Sequence, residues 1–167
     1  MVSLRTKYAG ELAVLSTWAS ALLPWSMSFA SQGGISLVVV RWQVFLFQFI
    51  FGASLPGEAP FQLLPTAIAR ESGGVEQAYL VWAAGAVPFL LAFLLSVAYY
   101  AREERVEDRL PVDPVRVLGG LLLLSGVVLG AATALLVQRY PGGAVPVGVL
   151  FLLVFGAILL RVERVEG

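Results

Sequence analysis

The chain reads as an all-α membrane protein, a four-transmembrane-helix bundle, and three observations point there. Hydrophobic residues make up 59% of its 167 residues and charged residues 13%, against about 45–50% and about 25% in a soluble domain. Four uncharged runs, 12–40, 77–101, 117–138 and 140–160, each exceed the ~20 residues that carry a helix across ~30 Å of hydrocarbon. Charge is concentrated instead: nine of the 22 charged side chains fall in 101–116, AREERVEDRLPVDPVR, between apolar blocks.

Composition also excludes chemistry. The chain has no cysteine, which removes disulfides, thiolate catalysis and cysteine-ligated metals. It has no histidine, the commonest general base and neutral metal ligand. Net charge is zero and no basic patch is visible, so nucleic acid is not an expected partner. No nucleophile–base pair and no phosphate-binding glycine loop stands out. The expectation is a non-enzymatic protein without a cofactor or metal.

The first span is expected at about 12–30. Tyr8 and Trp25 lie near its two interfaces, where amphipathic rings settle, and Pro24 should bend its last turn. The basic residues Arg5 and Lys7, an apolar stretch and the Ser28-Phe29-Ala30 exit also fit a signal peptide; a retained span is the favoured reading. Spans two to four are expected at about 77–100, 117–138 and 144–160. Tyr79 and Trp82 open the second and Tyr99-Tyr100 close it, an aromatic belt at both ends, with a kink expected at Pro88. The charged connector 101–116 should extend that helix by two turns before Pro111 and Pro114 turn the chain back. In the third span Gly126, Gly130 and Ala134 recur every four residues, a small-residue face on which another helix can pack closely.

The stretch 31–76 is the hardest to place. Residues 35–51, ISLVVVRWQVFLFQFIF, are apolar but contain Arg41, Gln43 and Gln48. An arginine at mid-bilayer costs about 2.5–3.5 kcal/mol even on lenient insertion scales. β-Branched and aromatic residues are abundant, and Phe45, Phe47, Phe49 and Phe51 alternate as in a strand. A fifth span, a re-entrant or interfacial helix and a structured external segment all remain open. Arg41 is the sharpest single candidate. It either contacts an anionic group or a partner, pairing with Glu58, Glu71 or Glu76, or it snorkels toward lipid phosphates. The carboxylates of 103–108 alternate with arginines and read as a solvated helix face.

Basic residues in short loops stay cytoplasmic. Four spans with an inside N-terminus place eight of the eleven Lys and Arg inside and Arg41, Arg70 and Arg139 outside. Both termini and the connector are then cytoplasmic, with 31–76 a large, partly apolar external segment.

Ten of the eleven basic residues are arginine, Val, Leu, Ala and Gly dominate, and the first span carries Leu22-Leu23-Pro24-Trp25-Ser26. In these features the chain resembles small uncharacterised multi-pass membrane proteins of haloarchaea, a resemblance that implies a cell-membrane location and no particular activity. The expected function is a membrane subunit or scaffold. It would pack against another membrane protein, or itself, through small-residue helix faces and the apolar external segment. The alternative is a small passive conduit or solute-binding component, with Arg41 in a re-entrant segment.

Overall fold

Pro24 is where the helical reading of the first third fails. In the computed structural model of the chain, which describes residues 2–53 and 59–165, a short strand β1 (Val2–Arg5) leads into helix α1 (Thr6–Leu22). The helix stops just before the proline, whose ring disfavours helical geometry in the residue preceding it. Strand follows, not the remainder of a span: β2 (Ser26–Gln32), β3 (Ile35–Arg41), β4 (Phe45–Phe51) and β5 (Phe61–Leu63). Helices α2 (Leu64–Arg70), α3 (Val75–Ala101), α4 (Glu103–Arg109) and α5 (Pro114–Arg139) come next. The chain ends in β6 (Gly143–Val145), α6 (Val147–Arg161) and β7 (Val162–Val165).

The all-α four-span bundle is therefore corrected to a mixed α/β fold. Strands β5-β4-β3-β2-β6 form one five-stranded antiparallel sheet in that order, and β1 pairs with β7 in parallel. Among the described residues only α3 and α5 are long and apolar enough to cross a membrane. Helix α6, with 15 residues, reaches about 22 Å at 1.5 Å per residue. The expected first span divides between α1 and β2, and the expected external segment supplies β3, β4, β5 and α2. Neither a fifth span nor a re-entrant helix forms at 35–51.

The physical reason lies in period and turn chemistry. Gly33 (φ 59) and Gly34 (φ 81) both occupy the left-handed region, the requirement of a two-residue type I′ hairpin. They pair Gln32 with Ile35 and set the β2–β3 register from Ser26↔Arg41 upward. The alternating phenylalanines of β4 then fall on one face.

Helices α3 and α5 arise where the apolar runs are continuous. Asp113 caps α5, its carboxylate accepting from the Val115 N–H at 2.9 Å, with Pro114 in the first turn, where a missing N–H costs nothing. Helix α3 runs through Pro88 to Ala101 and breaks at Arg102 (φ −153, ψ 62), so α4 is a separate short helix and not a two-turn extension. Buried side chains of α3, α5 and α6, including Trp82, Phe89, Leu122, Leu129, Leu152 and Leu159, form the core.

The fold has two distinct ends. At one, β1 and β7 pair, Gly10 of α1 lies against Tyr99 of α3, and Gly119 of α5 meets Leu159 of α6. At the other, the last turn of α1, the first turns of α3 and α6 and the end of α5 all meet the sheet.

Candidate functional site

The sheet buries polar groups on its inner face and exposes aromatic ones on its outer face. A sheet that caps a core ordinarily turns apolar residues inward and polar ones outward. Here Ser26, Ser28 and Arg41 are buried on the helix-facing side, beside Val39 and Leu46. The cross-strand register puts Phe29, Val38, Phe47, Phe49, Phe51 and Phe61 together on the outer side. Rings of Phe45, Phe47 and Phe61 lie 5.3 to 5.9 Å apart, and Trp42 stacks on Phe45 at 5.3 Å. Phe49 is 45% exposed and Phe51 58%. Among the described residues no charged side chain lies on this outer face.

Arg41 is the centre of the inner face and is 0% exposed. Its guanidinium donates to the Tyr79 hydroxyl from Nε at 3.3 Å and from Nη2 at 3.0 Å, and from Nη1 to Ser28 Oγ at 2.7 Å. It also lies over the rings of Tyr79 (5.2 Å) and Tyr140 (5.7 Å), a geometry that stabilises a desolvated cation. The Glu71 carboxylate acts electrostatically on Tyr79 as well, so cation, phenol and carboxylate form one cluster. A buried charge is tolerated when paired and hydrogen-bonded in this way. The arrangement joins β2 and β3 to the start of α3 and the end of α5. Of the carboxylates considered for Arg41, Glu71 joins this cluster, Glu76 is exposed, and Glu58 lies outside the described residues.

Tyr140, just past α5, senses the same groups. Burial pushes its phenol up to about 12; Arg41 acts in the opposite direction, while Tyr79 and Glu71 add to the rise. Around the cluster, Trp82 Nε1 donates to Gln43 O at 3.0 Å and Trp42 Nε1 to Leu22 O at 3.1 Å. The Trp25 indole N–H, Ser26 Oγ and both amide atoms of Gln43 are buried without a hydrogen-bond partner among the described residues. Such groups are normally satisfied, and here they gather at the same junction of sheet and helices.

Two of the three residues expected to form a packing seam meet a helix of this same chain. A Cβ added at Gly126 would lie 3.0 Å from Leu153 Cδ2 and 3.1 Å from Leu152 Cβ, and one at Gly130 would meet Val149 Cγ1 at 3.6 Å. All three contacts are on α6, and Ala134 is exposed. The tightest approach lies further along, where a Cβ on Gly156 would sit 2.7 Å from Leu123 N and 2.9 Å from Gly119 O. Gly156 was not singled out from sequence, although an isolated glycine within an apolar helix is a signal of close backbone approach.

The partners of Arg41 were also missed. Tyr79 read as an interfacial aromatic and Ser28 as part of a small-residue exit. The usable signal was that a lone arginine in a strand pattern needs polar groups on the same face of the neighbouring strand. At the opposite end the carboxylates of 103–108 lie on exposed α4, and the Tyr99 hydroxyl is bonded to Glu103 Oε1 (2.8 Å) and Glu107 Oε1 (3.0 Å).

These features define a class: an apolar helical unit capped by an antiparallel sheet with a buried arginine beneath it and an aromatic surface above. A family model described as a family of unknown function, DUF7549, matches residues 2–164, and the chain belongs to that family. A comparison with curated proteins finds no match.

Proposed function

We propose that the protein is a non-enzymatic integral membrane subunit whose sheet docks, through its aromatic outer face, onto another membrane protein or a second copy. The observation that carries this reading is the exposed aromatic outer face of the sheet. A contiguous apolar surface of several phenylalanines is costly against water and marks an interaction site. Interface cores are similarly enriched in aromatic residues and poor in charge. Buried Arg41 holds that surface in place and does not itself contact the partner. The seam of Gly126 and Gly130 is filled by α6, so docking falls to the sheet.

In this reading α3 and α5 span the full bilayer, and the shorter α1 and α6 pack beside them and also run from the cytoplasmic end to the sheet, with leucine, valine and phenylalanine facing lipid. Both termini and the α4 connector lie in the cytoplasm, and the sheet lies at the opposite surface. The charge distribution supports this orientation. Eight of the eleven basic residues belong to the termini and the connector region, and Arg41, Arg70 and Arg139 to the sheet end, the bias expected of cytoplasmic loops. A sheet with open edges cannot sit in hydrocarbon, which confines it to the interface. The preponderance of arginine over lysine fits a haloarchaeal multi-pass protein.

The test compares wild type with Phe49→Ser/Phe61→Ser, both at exposed positions, after extraction in mild detergent. Wild type should migrate as a complex larger than one chain, and the variant as a smaller species with unchanged helix content. Identical migration of the two would remove the docking role of the sheet.

A further inference from the structure

Toward the end of the molecule away from the sheet, the middle of α1 and the last turn of α3 line a groove of about 450 Å³, the size of a small-ligand site. Its lining has two characters. Glu11 and Glu103 supply carboxylates, while Trp18, Tyr99 and Tyr100 supply aromatic faces and Leu15 an apolar wall. Among the described residues no basic side chain lines it; Arg102 and Arg105 belong to the adjoining surface with Glu104.

The aromatic part is built and held. Gly10 has no side chain, and a Cβ there would lie 2.9 Å from the Tyr99 ring and hydroxyl. That absence lets buried Tyr99 reach beneath α1 as the floor. Tyr99 in turn is hydrogen-bonded to Glu103 at 2.8 Å, which orients that carboxylate at the rim. Trp18 is fixed by its indole N–H donating to Ser96 Oγ at 3.2 Å, and its ring stands 5.4 Å from that of Tyr100 at 59°. Tyr100 and Leu15 remain 72% and 62% exposed.

Tilted aromatic rings present their negative faces to a cation, and weakly hydrated ammonium ions are the ligands such boxes hold. Among the described residues that line it, two carboxylates and no basic group set the sign of the site; the apolar wall selects a ligand that also carries a hydrocarbon chain. We propose that this groove binds an amphiphilic ammonium ion, its head between Glu11, Glu103 and the rings of Trp18 and Tyr100, its chain along Leu15. The site is separate from the sheet and does not rest on the docking reading. The ammonium group has two natural sources, an amine-bearing lipid headgroup or a free amphiphilic amine.

The full chain, purified in a non-ionic detergent, is titrated calorimetrically with hexyltrimethylammonium and, as a neutral control, hexan-1-ol. Saturable binding of the cation alone is expected. Glu11→Gln/Glu103→Gln should weaken it about tenfold or more, since the charges of both carboxylates are removed. Tyr100→Leu should weaken it several-fold through loss of the ring face, and this exposed position keeps the test valid if the double variant unfolds. Equal binding of hexan-1-ol, or wild-type affinity in folded forms of both variants, would overturn the proposal. Repeating the titration in nanodiscs then separates the sources. Weaker probe binding in phosphatidylethanolamine than in digalactosyldiacylglycerol, which is also net neutral but has no ammonium group, supports the site with a lipid headgroup as occupant, and equal binding supports it with a free amine.

Discussion

The seam between α5 and α6 and the outer face of the sheet are both apolar, yet one is closed within the chain and the other is open. At the seam, Gly119 and Gly156 bring two backbones together and leucines fill the space on either side. On the sheet, rings of comparable size lie against one another, and among the described residues Phe49 and Phe51 stay half-exposed. The closed surface accounts for the stability of the helical unit. The open one is the surface to which the proposed docking role is given. Substitutions should therefore divide the two regions cleanly: seam changes alter folding, outer-face changes alter association, and the Arg41 cluster between them fixes the sheet to the helices.

The largest effect is expected at that junction. Tyr79→Phe removes the acceptor of two guanidinium bonds and leaves buried Arg41 with only its bond to Ser28 of the three. Charged hydrogen bonds of this kind are worth about 1.5–3 kcal/mol each, so a loss of roughly 3 kcal/mol should appear in the thermal midpoint of the detergent-solubilised protein. An unchanged midpoint would mean that Arg41 is not enclosed.

Next in size is Gly156→Val. The atoms a side chain would meet are backbone atoms of α5, which cannot rotate aside, and overpacking of this kind costs about 1–3 kcal/mol. Gly130→Ala, where the nearest atom is 3.6 Å away, should change the midpoint little. Equal effects at the two glycines would contradict the seam as described.

Phe49→Ser should lower stability by less than about 1 kcal/mol, as exposed substitutions do, while shifting assembly size. A stability loss matching that of Gly156→Val would show the outer face to be core after all. The smallest effect is in alkali. The Tyr140 phenol titrates higher in the folded state, about 12, than its ordinary value of 10.0. Folding thus holds its proton, and this contribution is present below pH 10 and lost as pH rises toward 12. The melting midpoint of Tyr140→Phe should fall less across that window than that of wild type.

How much of this was legible in the chain follows from the range of the interactions. Helices α3 and α5 lie within two or three residues of their expected bounds, because a long apolar run leaves a helix few competitors. Residues 26–30 were assigned to the first span because SMSFA carries no charge, and apolarity alone does not distinguish strand from helix. The alternation of Phe45 to Phe51 did carry the strand signal. What it lacked was a partner, since the β2–β3 and β3–β4 registers depend on turns and on pairing across the sheet. Arg41 stood out as a charge in an apolar stretch. Its acceptor Tyr79 is 38 residues away on another element, and nothing local connects the two. Gly126 and Gly130 suggested a packing face as a pattern, and the three-dimensional arrangement sets them against α6.

The central claim, that the sheet turns an apolar face toward apolar surroundings, is open to a direct measurement. The chain has no cysteine, so a single Phe49→Cys can carry a polarity-sensitive fluorophore without background, in native membranes. The account predicts blue-shifted emission from an apolar environment, moving toward the red when the protein is extracted and its complex dissociated. Water-like emission already in the native membrane would contradict it.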